Sequence, residues 1–212
     1  MIVILLGLPG SGKGTQSQFL KDHFNLHYLS TGEMLRQMIL DDSEESRKLN
    51  DYIKSGKLVP SDMINKMVEK FFIINKFDND YLLDGYPRNV EQARFLSSIT
   101  ETKIKVIYFK VNEEIVIKRI SGRFNCTNCG KIYNEWYDNT LVRNVCDICH
   151  GEHFTYREDD KADIVLKRIT EHKKEIFPLV EYYRSLDILH IINADKNKEN
   201  LSEELADVLK MI

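Results

Sequence analysis

Six apolar residues, Met1-Ile2-Val3-Ile4-Leu5-Leu6, run straight into Gly7-Leu8-Pro9-Gly10-Ser11-Gly12-Lys13-Gly14-Thr15, and a helical pattern from Gln16 to His23 follows. This order of buried strand, glycine-rich loop and helix is the context of a phosphate-binding loop. The glycines let successive backbone N–H groups turn inward, and the helix adds the positive end of its dipole and its free donors. Lys13 brings a full charge to the same place. A ligand-free glycine turn is the plain alternative, but it leaves the coincidence of Lys13 with these flanks unaccounted for. Gly14 follows the lysine, so the hydroxyl that would usually ligate Mg²⁺ is displaced to Thr15. A magnesium ion here is therefore expected to be held through water and a carboxylate.

The rest of the chain alternates in the same way. Ile2 to Leu6, Tyr81 to Leu83, Ile104 to Val111 and Ile188 to Ile192 have strand character. Met63 to Ile74, Glu113 to Ile120, Asp163 to Leu186 and Leu201 to Leu209 have helical spacing. Such alternation predicts an α/β fold with a mainly parallel sheet covered on both faces. Pro178 falls inside the helix near Asp163, where a kink or break is expected. Residues 30–59 read as short helices inserted into this rhythm, and residues 122–160 as a small turn-rich insertion. With 30 basic and 33 acidic side chains, a net charge of -3 offers no footprint for nucleic acid or an anionic membrane. The opening apolar run is too short for a signal peptide or membrane span, which points to a reducing cytoplasm.

All four cysteines lie in the second insertion, as Cys126-x-x-Cys129 and Cys146-x-x-Cys149 with sixteen residues between the pairs. That spacing matches a tetrahedral zinc site built from two knuckles. Disulfides are the rival reading, disfavoured by the compartment, and His150 or His153 could replace Cys149. Four protein ligands leave no open position, so the ion would be structural. A nucleic-acid-binding zinc ribbon is disfavoured, because residues 121–160 carry four basic side chains against seven acidic ones.

Asp84 ends an apolar strand beside the loop, at the sheet edge where open α/β folds bind ligands. It is placed to orient Mg²⁺ through water, although a turn or capping aspartate would look the same. The loop Gly-x-Pro-Gly-x-Gly-Lys-Gly-Thr resembles that of adenylate kinases, and further motifs follow in the same order. They are Ser30-Thr31-Gly32-Glu33-Met34-Leu35-Arg36, Gly56-Lys57-Leu58-Val59-Pro60, Leu82-Leu83-Asp84-Gly85-Tyr86-Pro87-Arg88 with Gln92, Gly122-Arg123, Tyr156-Arg157-Glu158-Asp159-Asp160, and Lys167-Arg168. Glu33, Tyr86 and Asn89 depart slightly from the family pattern but keep its character.

The resemblance implies a P-loop three-layer sandwich with a five-stranded parallel sheet, one strand more than the pattern shows. Residues 1–29, 60–121 and 161–212 would form the core, 30–59 an AMP-binding insertion and 122–160 a zinc lid. The implied reaction is reversible transfer of the terminal phosphoryl group of MgATP to AMP by a cytoplasmic monomer. Gly10, Ser11, Gly12, Lys13, Gly14, Thr15, Arg119, Arg123, Ile132, Tyr133 and Lys196 would hold ATP. Thr31, Arg36, Lys57, Leu58, Val59, Gly85, Tyr86, Pro87, Arg88, Gln92, Arg157 and Arg168 would hold AMP. Lys13, Arg88, Arg123, Arg157 and Arg168 would act on the transferring group, for which the planar, permanently charged guanidinium is suited. An amide such as Gln92 can pair bidentately with an adenine edge. A kinase for UMP, CMP or GMP, or an ATP-binding module without catalysis, are the rival functions.

Overall fold

A computed structural model describes residues 1–40, 43–55, 57–75 and 80–210. Gly56, at the head of one family-like motif, lies outside the described residues, as do the side chains of Glu45, Asp159, Ala162 and Asp163.

The first strand, β1 (Ile2–Gly7), is buried on both faces and sits at the centre of a five-stranded parallel sheet. Ile2, Ile4 and Leu6 join one core cluster, and Val3 and Leu5 join another on the opposite face. A strand covered twice has no polar side to alternate with, which explains its unbroken apolar run. The other strands are β2 (His27–Ser30), β3 (Tyr81–Asp84), β4 (Ile104–Lys110) and, with β5 to β7 elsewhere, β8 (Leu189–Asn193). Their order is β2-β3-β1-β4-β8, and every pairing is parallel.

Helices α1 (Lys13–Phe24) and, at the chain's end, α8 (Lys198–Lys210) cover the Val3 and Leu5 face through Leu20, Leu201, Leu205 and Leu209. The other face is covered by α4 (Ser61–Asn75), α5 (Val90–Ile99), α6 (Glu113–Ser121) and α7 (Ala162–Ser185). The result is the expected three-layer α/β sandwich. The chain leaves β1 toward β2 and β3 on one side and returns to β4 on the other. The switch point therefore lies at the carboxyl end of β1, the position where such sheets bind ligands.

Of the kink or break expected at Pro178, the break does not occur: α7 is one helix from Ala162 to Ser185. Proline removes one ladder bond at about 3 kcal/mol. Against that, Ile176, Leu179, Val180 and Tyr183 are buried around it, each contributing roughly 1.5–3 kcal/mol. Tertiary packing decides the outcome.

Between β2 and α4 lie two short helices, α2 (Thr31–Met38) and α3 (Glu44–Ser55). Between α6 and α7, strands β5 (Arg123–Cys126), β6 (Ile132–Asn134) and β7 (Phe154–Thr155) form a separate antiparallel sheet. It has its own small core of Phe124, Cys126, Tyr133 and Cys146. The two insertions approach each other where Lys54 of α3 pairs with Glu158 at 3.3 Å. Among the described residues no helix is long and apolar enough to cross a membrane.

Candidate active site

The loop after β1 wraps over the first turn of α1, whose leading N–H groups have no partner within the helix. Gly10 has φ +77°, and a Cβ there would stand 2.6 Å from Ile120 Cγ1. Only glycine combines that backbone turn with so close a neighbour. Lys13 Nζ donates to the carbonyls of Gly7 at 2.8 Å and Leu8 at 2.9 Å, and to Ser11 Oγ at 3.3 Å. Burial, against the opposing pull of Asp84 and with added repulsion from Arg88, Arg168 and Arg123, lowers its pKa to about 8. A lysine held this way is a charge short of counterions, ready for anionic oxygen.

Asp84, on the neighbouring strand, accepts from Tyr28 Oη at 3.1 Å and stands opposite Leu5 in register. Its Oδ2 is 3.8 Å from where a Cβ on Gly14 would lie. The missing side chain at residue 14 therefore leaves room beside the carboxylate. A carboxylate with room beside it suits a hydrated divalent cation.

A cleft of about 640 Å³ opens above the loop. Gly10, Gly12, Lys13, Gly14 and Thr15 line its floor, and Arg119, Ile132, Tyr133 and Lys196 its far wall. Arg119 Nη1 reaches the Ser11 carbonyl at 3.4 Å, and its guanidinium carbon Cζ lies 5.7 Å from the Tyr137 ring centroid. Ser11 is fully buried beneath the floor, with its N–H bonded to the Leu8 carbonyl. Lys196 pairs with Glu204 at 2.9 Å.

A second, smaller cavity of about 70 Å³ adjoins the first. Thr31, Lys57, Leu58, Val59 and Gln92 line it, and Arg36, Gly85, Arg88 and Arg168 line both. Gly85, at φ +81°, offers its carbonyl to Thr31 Oγ1 and to Arg88 Nε, each at 2.8 Å. A Cβ on Gly85 would meet Thr31 Oγ1 at 2.9 Å. Gln92 Oε1 accepts the Arg88 backbone N–H at 2.8 Å. A backbone donor fixes that atom as the oxygen, so pairing with a base edge would share an acceptor already in use. Pro87 lines the larger cavity, whereas the Tyr86 side chain lines neither. It is fully buried, its hydroxyl 2.8 Å from Asn65 Oδ1 and 3.1 Å from the Gln92 carbonyl, two acceptors within reach of its single proton.

Two further arginines join Arg168 of α7 on the far side of the cleft: Arg123 from β5 and Arg157 from the segment after β7. Asp160, nearly buried, accepts from Arg123 Nε at 2.7 Å and from Arg168 Nη1 at 3.4 Å. It holds two guanidinium groups at the mouth of the phosphate loop. Asp160 closes a family-like motif that assigns it no role, and no motif marks His172 or Tyr28. His172 lines both cavities. Burial, with repulsion from Arg88, Arg168 and Lys13, holds its imidazole well below the usual range. Its position four residues after Arg168, one helical turn on the same face, was the available signal.

The cysteines meet away from the cleft. All four Sγ atoms lie within 4.8 Å of one another, with Cys126 to Cys149 and Cys129 to Cys146 each at 3.5 Å. A disulfide is about 2.05 Å, while tetrahedral zinc thiolates sit roughly 3.8 Å apart. The donor set thus fits a tetrahedral ion and no disulfide. Both knuckles share one backbone pattern. Cys126 N–H bonds to Lys131 O and Gly130 N–H to Cys126 O, while Cys146 N–H bonds to Gly151 O and His150 N–H to Cys146 O. His150, at φ +57°, therefore occupies the turn position of Gly130 at φ +75°. Neither it nor His153 belongs to the cluster. Burial pushes the Cys146 thiol up, but hydrogen bonds from Tyr133 and the backbone outweigh it and bring it to about 6.

The model of one family, adenylate kinase, matches residues 5–188. Proteins named adenylate kinase from Rickettsia africae (strain ESF-5) and Rickettsia conorii (strain ATCC VR-613 / Malish 7) are 41% identical over 211 residues, with each chain covered in full. The one from Rickettsia prowazekii (strain Madrid E) is 41% identical over 212 residues, again with full coverage of both.

Proposed function

The chain belongs to the adenylate kinase family of phosphotransferases, and from that premise we propose how its own residues move the terminal phosphoryl group of MgATP to AMP, giving two ADP. One observation carries the reading. The larger and smaller cavities meet at Arg36, Gly85, Arg88 and Arg168, with Lys13 on the floor beside them. Two nucleotides entering from opposite ends would bring their phosphates together among these cations.

In this reading Lys13 and the N-terminus of α1 hold the β- and γ-phosphates. Arg36 and Arg88 hold the AMP phosphate, and Arg123, Arg157 and Arg168 close on the transferring group. Transfer is in line and direct, so the protein's contribution is positioning and neutralisation of charge. Asp84 would hold Mg²⁺ through water, and the ion would offset charge on the phosphates. Arg119 would stack on the ATP adenine in place of Tyr137, near Ile132, Tyr133 and Lys196. Thr31, Gln92 and the backbone of residues 57–59 and 85–88 would read AMP. Release of Arg123 and Arg168 from Asp160 to phosphate oxygens would accompany closure, because a carboxylate and a phosphate compete for the same fork.

Residues 1–29, 60–121 and 161–212 serve as the core, 30–59 as the AMP-binding insertion and 122–160 as a lid with one zinc ion on Cys126, Cys129, Cys146 and Cys149. Enclosure by both insertions would shut water out of the transfer. Clustered thiols suited to a metal support a reducing, cytoplasmic setting.

A coupled assay tests the reading. ADP should form from MgATP only when AMP is present, with UMP, CMP and GMP far poorer acceptors. ATP turnover independent of AMP, or equal use of UMP, would overturn it.

A further inference from the structure

Tyr133 is the middle residue of the three-residue strand β6 and is only 1% exposed. Its ring stacks on Phe124 of β5, with centroids 5.5 Å apart and planes 18° from parallel, and meets the edge of Phe154 at 5.9 Å. Its hydroxyl donates to Cys146 Sγ at 3.3 Å and accepts the Asp147 N–H at 2.8 Å. The phenol is thus the bridge from the second cysteine knuckle to the β5–β6 pair. The other side of that pair faces the larger cavity. Ile132, Tyr133 and Asn134 line it, Arg123 stands opposite Asn134 in register, and Asn134 Nδ2 donates to the Arg119 carbonyl at 2.7 Å.

We propose that Tyr133 is a positioning residue that couples occupancy of the four-cysteine metal site to nucleotide triphosphate binding in the larger cavity. The proposal rests on the reading of that cavity as the ATP site. A metal-bound thiolate is a strong acceptor, so the phenol O–H bond holds knuckle 146–149 at a fixed place on β6. A metal ion that orders the knuckle thereby orders the strand pair carrying Arg123 and the nucleotide-facing backbone. The effect must run both ways. A triphosphate that fixes β5 and β6 also retains the metal, because a coupling free energy between two binding sites is reciprocal. Removing the hydroxyl deprives the thiolate of a donor and leaves the Asp147 N–H without its acceptor, while the ring packing on Phe124 survives. Partners of this kind around a metal site typically change affinity 10–100-fold.

The test compares the full-length protein with Tyr133→Phe, each loaded with zinc or with Co²⁺. Metal affinity is measured by competition with a chromophoric chelator, alone, with a non-hydrolysable ATP analogue, and with AMP. Calorimetry reports binding of each nucleotide separately, and AMP binding by the variant reports an intact core. In the wild type the analogue should tighten metal retention several-fold, and AMP should not. Tyr133→Phe should weaken the metal about tenfold and remove most of the analogue's effect. The Co²⁺–thiolate charge-transfer band should move to longer wavelength, because the sulfur lone pairs lose a hydrogen-bond donor. Unchanged metal affinity and an unmoved band in the variant would overturn the proposal, as would an analogue effect of wild-type size. A wild type that binds no analogue would overturn the ATP-site reading and the coupling with it. Normal analogue binding without any change in metal retention would overturn the coupling alone.

Discussion

Raising the pH from 7 to 9 should weaken ATP binding about tenfold through Lys13 alone. Burial, with repulsion from three arginines and against the pull of Asp84, lowers the pKa of this ammonium from 10.5 to about 8. Phosphate oxygens placed at Nζ restore the favourable environment that burial removed, so the bound lysine stays protonated well above pH 9. Binding therefore takes up a proton, and affinity falls as pH rises through 8. The factor is 1 + 10^(pH − 8), which is about 2 at pH 8 and about 11 at pH 9, or roughly 1.4 kcal/mol. Above pH 7 the triphosphate is already close to fully ionised, which isolates the protein's share. Calorimetric titration with a non-hydrolysable analogue and Mg²⁺, at fixed ionic strength and in buffers of different ionisation enthalpy, should show about half a proton taken up at pH 8. Lys13→Met should bind weakly with a flat profile over the same range. A wild-type Kd at pH 9 within twofold of that at pH 7 would refute the argument, as would a slope that survives in the variant.

Four further outcomes follow from the same geometry. Arg88→Ala and Arg123→Ala should each lower kcat/KM by about 3–4 kcal/mol if the charge acts at the transition state, read by steady-state kinetics. Tyr86→Phe removes the hydroxyl that donates between Asn65 Oδ1 and the Gln92 carbonyl. It should cost about 1–2 kcal/mol, a fall in Tm of about 2–8 °C by calorimetry for a chain of this size. His172 is held neutral in the fold at a pH where the unfolded chain takes up a proton, so it contributes a loss of stability as pH falls below about 6.5. His172→Gln should make the acid side of the urea-midpoint profile shallower. Cys146→Ser should lower metal content and the thermal stability of the lid, whereas Co²⁺ in the wild-type site should preserve turnover because four thiolates leave no position for substrate.

Legibility followed how locally each feature is specified. β1, the phosphate loop and the two cysteine knuckles are written in consecutive residues, because backbone geometry and donor spacing are set within a few positions. β2 was not seen. His27-Tyr28-Leu29-Ser30 is a sheet edge with Leu29 alone fully buried, so it lacks the apolar run that marked its neighbours. The unbroken helix at Pro178 is likewise a tertiary result, decided by what α7 packs against.

The same distinction separates the site residues. The loop and the Asp84 to Arg88 segment announce themselves by motif, but the charge balance of the cleft depends on residues that meet only in space. Asp160 joins Arg123 to Arg168 across 37 and 8 positions of sequence, and Tyr28 reaches Asp84 across 56. Tyr86 reads from the motif as a small departure, yet its hydroxyl sits between Asn65 of α4 and the carbonyl of Gln92. Those acceptors explain why a polar atom is tolerated at a fully buried position. Sequence shows which groups can bind phosphate, and only the packing shows which neighbours hold them in place before phosphate arrives.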